Sequence, residues 1–358
     1  MAFCIPSATS VAANREEAQV EHTLLAVDLA KDVFEVAVSR QAGSVDASHR
    51  LKRERLVGFF MEQPAATVVM EACGSAHHWA RRLTQIGHRV KLLPPGLVRP
   101  YRRGNKTDKA DAKALLEAFR NQDIREVPVK TVAQQAVGVV HRLRSTWLEA
   151  RTARLNTVRG LLREHGLFIP PGAERVVPQV RSWISDDEVA LAAPVRAMLA
   201  SACDEVLDLE RRIAEAGRQL EAIAAQTPGV RLWITIPGIG LLCSTALFAF
   251  VGDPGRFRSA RHFASYLGLT PRERSSGSRR RLGRISKRGD AYVRHLLIHG
   301  ARAVLGAARR ARQRDRLRTW ALDLAARTHF NHATCALANK IARIAWAVSR
   351  QQRGFVAI

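Results

Sequence analysis

Residues Leu24-Leu25-Ala26-Val27-Asp28 form a short apolar run that ends in a carboxylate. After a brief polar break, a second run rich in valine extends from Val33 to Val38. Short runs of this kind, bounded by polar residues, predict neighbouring β-strands. A carboxylate at the end of a central strand loses hydration and normally has a partner. Asp28 is therefore a candidate site residue.

Strand and helix patterns continue along the next hundred residues. Thr67 to Met70 and Val90 to Leu93 are further short apolar runs, and Ala76 to Ile86 has helical spacing that stops at Gly87. Thr107 is a plausible N-cap for a helix that extends through Phe119. We therefore predict a disordered tail over residues 1–21 and a small α/β domain over residues 22–125.

The rest of the chain has the apolar spacing of helices. Residues 126–229 repeat apolar positions every three to four residues and are broken at Gly166 to Gly172, which predicts two long helices forming a connector or coiled-coil arm. Residues 230–350 predict a helical C-terminal domain with a loop between Pro271 and Gly289 and a last helix from Ala336 to Val348. Residues 351–358 are predicted to be a tail. The predicted fold class is α/β plus all-α.

Composition restricts the partners. The 57 Lys and Arg residues against 32 Asp and Glu give a net charge of +25, which indicates a polyanionic partner, foremost nucleic acid. The longest apolar stretch, Leu241 to Val251, is too short to cross a membrane. Five scattered cysteines lack the spacing of a zinc site or a disulfide framework. We expect a cytoplasmic, nucleoid-associated protein of a prokaryote.

Four carboxylates stand out in the α/β region. Glu71 ends a second apolar run, as Asp28 ends the first, and Asp108 and Asp111 lie three residues apart on one helical face. Phosphodiester chemistry uses paired hard cations, Mg²⁺ or Mn²⁺, which prefer carboxylate oxygen. Each acid also has an ordinary explanation, as a turn residue, a helix-entry residue or a first-turn acid that favours the helix dipole.

The C-terminal region has two candidate nucleic-acid contacts. Ile236-Pro237-Gly238-Ile239-Gly240 precedes an apolar helix, so Gly238 and Gly240 can present backbone N–H groups to a phosphate, as in helix-hairpin-helix modules, or form a plain turn. The second contact is a run of cations that suits phosphate binding: Arg272, Arg274, Arg279, Arg280, Arg281, Arg284, Lys287 and Arg288.

Four serines lie among these cations: Ser275, Ser276, Ser278 and Ser286. A serine hydroxyl needs activation to act as a nucleophile, which guanidinium groups or a metal can supply. Chemistry alone leaves all four serines open. In the α/β region, Arg102, Arg103 and Lys106 are further candidates for nucleic-acid binding.

Three segments together resemble the acidic motifs of DEDD transposases, whose metal domain has a RuvC-like, RNase-H-type fold. They are Asp28-Leu29-Ala30-Lys31, Glu71-Ala72-Cys73-Gly74 and Asn105-Lys106-Thr107-Asp108-Lys109-Ala110-Asp111-Ala112. The similarity is to the bridge-RNA-guided enzymes of the IS110 insertion-sequence family, including its IS1111 subgroup, and it covers about His22 to Ser349. It implies that Asp28, Glu71, Asp108 and Asp111 are metal ligands.

The segment from Leu269-Thr270-Pro271 to Gly289 looks like the C-terminal transposase domain of that family, whose catalytic serine directly precedes a glycine. Here that serine is Ser276. The resemblance implies cleavage and rejoining of element ends and target DNA through a 5′-phosphoserine link. It also implies a structured guide RNA and a homodimer or homotetramer in which the acids of one protomer meet the serine of another.

Two other functions remain open at this point. A RuvC-type hydrolytic nuclease would use the same acids with water as the nucleophile, which leaves the serine loop unexplained. A non-catalytic nucleic-acid-binding protein would account for the charge, but it leaves the four acids unexplained because carboxylates repel phosphate unless a cation intervenes.

Overall fold

A computed structural model of the protein describes residues 23–41, 44–105, 107–311 and 315–357. The predicted N-terminal tail and Lys106 lie outside these residues. The chain forms two compact units, the first ending at Thr131 and the second beginning at Val132. The three-part division at residues 22–125, 126–229 and 230–350 stays a prediction.

The first unit contains a five-stranded mixed sheet of order β3-β2-β1-β4-β5. β1 pairs antiparallel with β2, and β2 with β3, whereas β4 and β5 continue the sheet parallel to β1. The short link after β1 suits an antiparallel hairpin, while the parallel strands need longer crossovers. The strands are β1 (Leu24–Asp28), β2 (Val33–Ser39), β3 (Ala47–Lys52), β4 (Thr67–Glu71) and β5 (Arg89–Leu93).

Helices cover both faces of this sheet, since alternate side chains of each strand point to opposite faces. On one face, Phe34 and Met70 are fully buried in a cluster that includes Trp79. On the other face, Ala26 and Val69 pack in a cluster with Leu115. The helices of the unit are α1 (Leu56–Met61), α2 (Ala76–Gln85), α3 (Pro95–Val98) and α4 (Asp108–Arg120).

The predicted strands and the helix that follows Thr107 are confirmed, but β3 was missed. Its sequence, Ala-Ser-His-Arg-Leu-Lys, alternates half-buried and exposed positions at the edge of the sheet. An edge strand needs little apolar content, because one of its sides pairs with no neighbour and charged residues there discourage aggregation.

The second unit begins with two long antiparallel helices, as the sequence predicted. α5 (Val132–Glu164) and α7 (Ala193–Gln226) are joined through a shorter helix, α6 (Val176–Ser185). Ion pairs link Arg151 to Glu210 and Arg154 to Glu205. Because the later residue of α5 pairs with the earlier residue of α7, the two helices are antiparallel.

The remaining helices surround one apolar core that includes Phe263, Leu297 and Ile341, all fully buried. The predicted last helix is longer than expected at both ends. Beyond it, the Phe355 amide donates a 2.8 Å hydrogen bond to the Thr235 hydroxyl, within the predicted tail. These helices are α8 (Pro228–Ile234), α9 (Leu241–Ala246), α10 (Ala260–Tyr266), α11 (Ala291–Arg310), α12 (Arg316–Arg327) and α13 (Phe330–Gln351).

Leu241 to Val251 forms α9 and a π-helical extension, Leu247–Val251, with several side chains buried in the second unit. None of the described helices combines the length and the apolar character needed to cross a membrane.

His141 joins three helices in the second unit. It is 1% exposed, and its Nδ1 and Nε2 atoms each lie 3.0 Å from a hydroxyl, those of Tyr292 and Thr245 respectively. The Thr245 hydroxyl already donates to the Leu241 carbonyl, so Nε2 donates to Thr245 and Nδ1 accepts from Tyr292. Burial, and then the nearby Arg144, lower the pKa of His141 to about 4.

We predict that His141 makes the second unit less stable in acid. Unfolded chains protonate histidine below about pH 6.5, whereas the folded chain keeps His141 neutral until about pH 4. The contribution of neutral His141 to the free energy of unfolding is thus fully present above pH 6.5. It falls by about 3 kcal/mol as the pH is lowered to 4. Denaturant titrations of the wild type and His141→Gln should show the stability gap narrowing by that amount. A constant gap from pH 7 to pH 4 would refute this explanation.

Candidate functional site

Asp28 and Glu71 lie side by side at the carboxyl ends of parallel strands. The register pairs Val27 of β1 with Met70 of β4, so the two acids occupy the next position on strands about 5 Å apart. Two residues earlier, Ala26 and Val69 pack under α4. The acids therefore lie on the sheet face that α4 covers.

The direction of α4 brings its first turn to the same end of the sheet. At its last residue, Arg120 donates a 2.9 Å hydrogen bond to the hydroxyl of Ser39, which pairs with Leu24 at the start of β1. Asp111 lies nine residues earlier, about 14 Å along the helix, and β1 is about 13 Å long. Asp108 and Asp111 thus lie near the level of Asp28. The structure brings the four predicted acids to one end of the unit.

Thr107 fixes the start of α4 as the sequence predicted. Its hydroxyl oxygen accepts a 3.2 Å hydrogen bond from the Ala110 amide. This cap places Asp108 and Asp111 in the first turn, where the helix dipole favours negative charge. Asp108 is exposed and Asp111 is half-buried.

A cation already contacts one of these acids. Arg102 lies 3.2 Å from the Asp111 carboxylate, so this candidate for nucleic-acid binding is an ion-pair partner here, while Arg103 is exposed. Across the described residues, no three His, Cys, Asp or Glu side chains are arranged to hold a metal ion. The donor set is all carboxylate oxygen, which suits a hard cation. Metal binding by all four acids requires their side chains to converge and Arg102 to release Asp111.

Sequence reasoning missed a fifth acid beside Asp28. Glu35 pairs opposite Asp28 across β1 and β2, and its carboxylate accepts a hydrogen bond from the Ser48 hydroxyl. A charged residue inside the apolar run from Val33 to Val38 was the available signal. Asp28 therefore lies between two acids, Glu35 and Glu71, which increases the negative potential at this edge.

The serines lie on a β-hairpin, not in the irregular loop that the sequence predicted. β6 (Pro271–Glu273) pairs antiparallel with β7 (Leu282–Ile285). A turn closes the tip, where the Arg279 amide donates a 3.2 Å hydrogen bond to the Ser276 carbonyl and Gly277 has φ of 55°. Gly277 suits this turn because it adopts positive φ without strain.

The four serines differ in their hydrogen bonds. The Ser275 hydroxyl donates to Glu273 at 2.7 Å and accepts from the Arg281 amide at 3.2 Å. This bond, and then the nearby Arg280, lower the pKa of Glu273. At the base of the hairpin, the Ser286 amide donates to the Thr270 carbonyl at 2.8 Å. Ser276 and Ser278 are exposed, and neither hydroxyl has a hydrogen-bond partner among the described residues.

The cations of the hairpin are exposed. Arg280 pairs with Glu273 at 3.2 Å, and Arg272 donates across the hairpin to the Ser286 carbonyl. Within the described chain, the others form no ion pair, so their charge is available to an external anion: Arg274, Arg279, Arg281, Arg284, Lys287 and Arg288.

A buried arginine holds the base of the hairpin. Arg294 of α11 is 9% exposed, and its Nη1 donates to the carbonyls of Leu267, Arg288 and Asp290 at 3.3, 3.0 and 3.5 Å. Gly268 reinforces the junction, because a Cβ there would lie 2.1 Å from the Arg288 carbonyl oxygen. The serine hairpin is thereby fixed to the helical core.

Gly238 has a packing role that the sequence did not reveal. Its carbonyl oxygen would lie 1.8 Å from a Cβ at Gly300, so two glycines allow the turn and α11 to meet. Gly238 also has φ of 88°, whereas Gly240 is exposed directly before α9. This packing explains Gly238 without a phosphate. The predicted phosphate contact at Gly238 and Gly240 stays a prediction.

The sheet order with acids at the carboxyl ends of β1 and β4 is consistent with a DEDD-type RNase H-like domain. Two family models match the chain. One, described as "Transposase" and specific to DEDD enzymes of IS110, covers residues 25–166. The other, described as "Transposase IS116/IS110/IS902 family", covers residues 230–318.

Relatives match almost the whole chain. A "Probable family 20 transposase" of Pseudomonas aeruginosa is 43% identical over 90% of this chain and 96% of its own length. The "Transposase for insertion sequence element IS1111A" of Coxiella burnetii is 36% identical over 97% and 94%. The corresponding protein of element IS1328 in Yersinia enterocolitica is 34% identical over 92% and 97%. The chain belongs to the IS110/IS116/IS902 family of transposases.

Proposed function

We propose that this protein cuts and rejoins DNA at the ends of an insertion sequence and at its target, with the Ser276 hydroxyl as the nucleophile. Ser276 Oγ attacks a backbone phosphorus and forms a 5′-phosphoserine bond, while the 3′ oxygen leaves and takes up a proton. Attack by the 3′ hydroxyl of another strand reverses the step and releases the serine. The bond energy is thus kept in the protein–phosphate link.

The position of Ser276 is the observation that supports this proposal most strongly. It is an exposed serine at the tip of a hairpin whose cations can bind the flanking phosphates. Guanidinium groups stabilise the charge that develops on phosphate oxygens and favour the ionised serine oxygen. Ser275 is less suited, because its hydroxyl already bonds Glu273 and Arg281.

The acids of the first unit are proposed to hold Mg²⁺ or Mn²⁺. Asp28, Glu71, Asp108 and Asp111 provide only carboxylate oxygens, and they lie at one end of the unit. A divalent ion there would supply charge stabilisation to the attacking and leaving oxygens. Before metal binds, Arg102 can neutralise part of this charge through Asp111. Arg103 and Lys106 are proposed to contact the nucleic acid beside the acids.

A structured RNA encoded next to the gene is proposed to select the DNA. The hairpin cations suit backbone contacts, which position a nucleic acid but carry no sequence information. Base pairing by a guide would supply the specificity that such contacts lack. The expected assembly is a homodimer or homotetramer.

A denaturing gel tests the proposed chemistry. Protein is mixed with element-end DNA, flank-derived RNA and Mg²⁺, with a chelator in a parallel reaction. A slow-migrating covalent protein–DNA band that disappears with the chelator is expected. Nicked DNA without any adduct would refute the serine mechanism and favour a metal-dependent hydrolytic nuclease. Binding without any cleavage would favour a non-catalytic protein.

Mixing two inactive variants tests whether the active site forms between protomers. Asp28→Asn lacks one acid and Ser276→Ala lacks the nucleophile. If the acids of one protomer serve the serine of another, the mixture regains adduct formation, carried only by Asp28→Asn chains. The two variants are given tags of different mass so that the gel shows which chain carries the DNA. A mixture as inactive as its components would show that each protomer uses its own acids.

A further inference from the structure

A large cavity opens beside the serine hairpin in the second unit. Its volume is about 1360 Å³, above the roughly 300–1,000 Å³ of a typical small-molecule pocket. It is lined by β7 on the hairpin and by residues of α11, α12 and α13, with Leu269 and Ile298 among its apolar residues. Its size suits a segment of a polymer better than a metabolite.

Cations from distant parts of the chain converge on this cavity. Arg284 and Lys287 come from the hairpin, Arg302 from α11, and Lys340 and Arg343 from α13. The described residues that line the cavity include no carboxylate, and none of the five cations forms an ion pair in the described chain. Arg302 donates instead to the neutral Asn331 amide oxygen at 3.3 Å. The cavity therefore has an uncompensated positive potential.

Lys340 is oriented by an aromatic ring at the cavity. Its Nζ lies 3.9 Å from the centre of the Trp320 ring, a cation–π contact that orients the ammonium group. Burial, and then the nearby Arg343 and Arg316, lower the pKa of Lys340. A bound phosphate would relieve this repulsion, whereas a neutral ligand would not.

We propose that this cavity is a groove for the phosphodiester backbone of a single nucleic-acid strand, with phosphates on Arg302, Lys340 and Arg343. This proposal adds a binding site to the proposed function. It rests on the proposed function in one respect, namely that the bound polyanion is nucleic acid. Cations contributed by the hairpin and by the helices can surround one strand, as in grooves that track single-stranded backbones. A duplex would reach mainly the rim. The same hairpin presents Ser276 at its tip. A strand bound in the groove would therefore lie beside the hairpin that carries the proposed nucleophile.

Salt-dependent binding tests the groove. The triple substitution Arg302→Gln, Lys340→Gln and Arg343→Gln is made in a Ser276→Ala background. Fluorescence anisotropy without divalent metal compares labelled single-stranded DNA, single-stranded RNA and duplex DNA. With about 0.7 counterions released per single-strand phosphate, the slope of log affinity against log salt should fall in magnitude by about 2. At about 0.1 M salt, affinity for a single strand should fall about 100-fold.

Arg231→Gln is the matched control, an exposed arginine of α8 outside the groove, and should change affinity at most about fivefold. Thermal melts check that the triple variant is folded. The DNA and RNA arms identify which strand occupies the groove. Unchanged binding of both single strands, or a loss confined to duplex DNA, would overturn the proposal. Because metal and Ser276 are absent, a failure of the proposed catalysis leaves this result unaffected.

Cys335 provides a second readout that does not depend on folding of the variant. Its half-buried thiol lines the groove. In the wild-type chain, a bound strand should slow alkylation of Cys335 by N-ethylmaleimide, measured by peptide mass spectrometry. Burial raises the pKa of Cys335, so the reaction is run at mildly alkaline pH. Equal alkylation rates at saturating oligonucleotide would refute strand binding in the groove.

Discussion

Ser276→Ala should abolish the covalent protein–DNA adduct, with a loss of about 10³-fold or more in strand transfer, because removing the proposed nucleophile eliminates the step itself. DNA binding should remain near the wild-type level, since the substitution removes one exposed hydroxyl and no charge. A gel for the adduct and an anisotropy titration on the same preparation separate the two effects.

Ser278→Ala is the matched control, because Ser278 lies just across Gly277 in the same tip and is also exposed. It should keep the adduct. An adduct that persists in Ser276→Ala and disappears in Ser278→Ala would show that the neighbouring serine is the nucleophile. Loss in both variants would indicate that the tip's conformation, and not one hydroxyl, limits the reaction.

Asp28→Asn and Glu71→Gln should each reduce metal-dependent cleavage by about 10³-fold. Each substitution keeps the side-chain size but removes a negative oxygen from a strand end where a hard cation would bind. The folded domain should tolerate the change, because Asn and Gln keep nearly the size and shape of the side chains they replace. Stability close to that of the wild type, together with lost cleavage, is the expected combination.

Asp123→Asn controls for the carboxylate-to-amide change. Asp123 is exposed just beyond the far end of α4 and should leave cleavage unchanged. Isothermal titration with Mn²⁺ adds a readout that does not require turnover, and binding should weaken in Asp28→Asn but not in Asp123→Asn. Full cleavage by both Asp28→Asn and Glu71→Gln would show that these two carboxylates are not needed for the reaction.

Local signals in the sequence predicted most of the first unit. The apolar runs of β1, β2 and β4 and the Thr107 cap are set by neighbouring residues, so propensity and periodicity were sufficient. β3 was missed because pairing at an edge depends on backbone hydrogen bonds that polar sequences also form. The hairpin of β6 and β7 was missed because its exposed arginines and serines have no apolar alternation.

The sequence indicated candidate residues for the site but not their geometry. The motifs indicated the four acids, yet the Arg102–Asp111 pair and the opposition of Glu35 to Asp28 depend on how elements pack and pair. The groove could not be predicted from the sequence for a similar reason. Lys287, Arg302 and Lys340 are spread along the sequence and meet only through packing of the hairpin and helices.

The three acceptors of Arg294 are main-chain carbonyls, which every amino acid possesses. The Arg288 side chain can therefore be substituted without loss of its acceptor, whereas Leu267 is fully buried in the core, Asp290 caps α11, and Gly268 and Arg294 have no equivalent replacement. The tip of the hairpin and its attachment to the helical core therefore depend on different residues. A change in the sequence or length of the tip therefore leaves the carbonyls that Arg294 contacts in place.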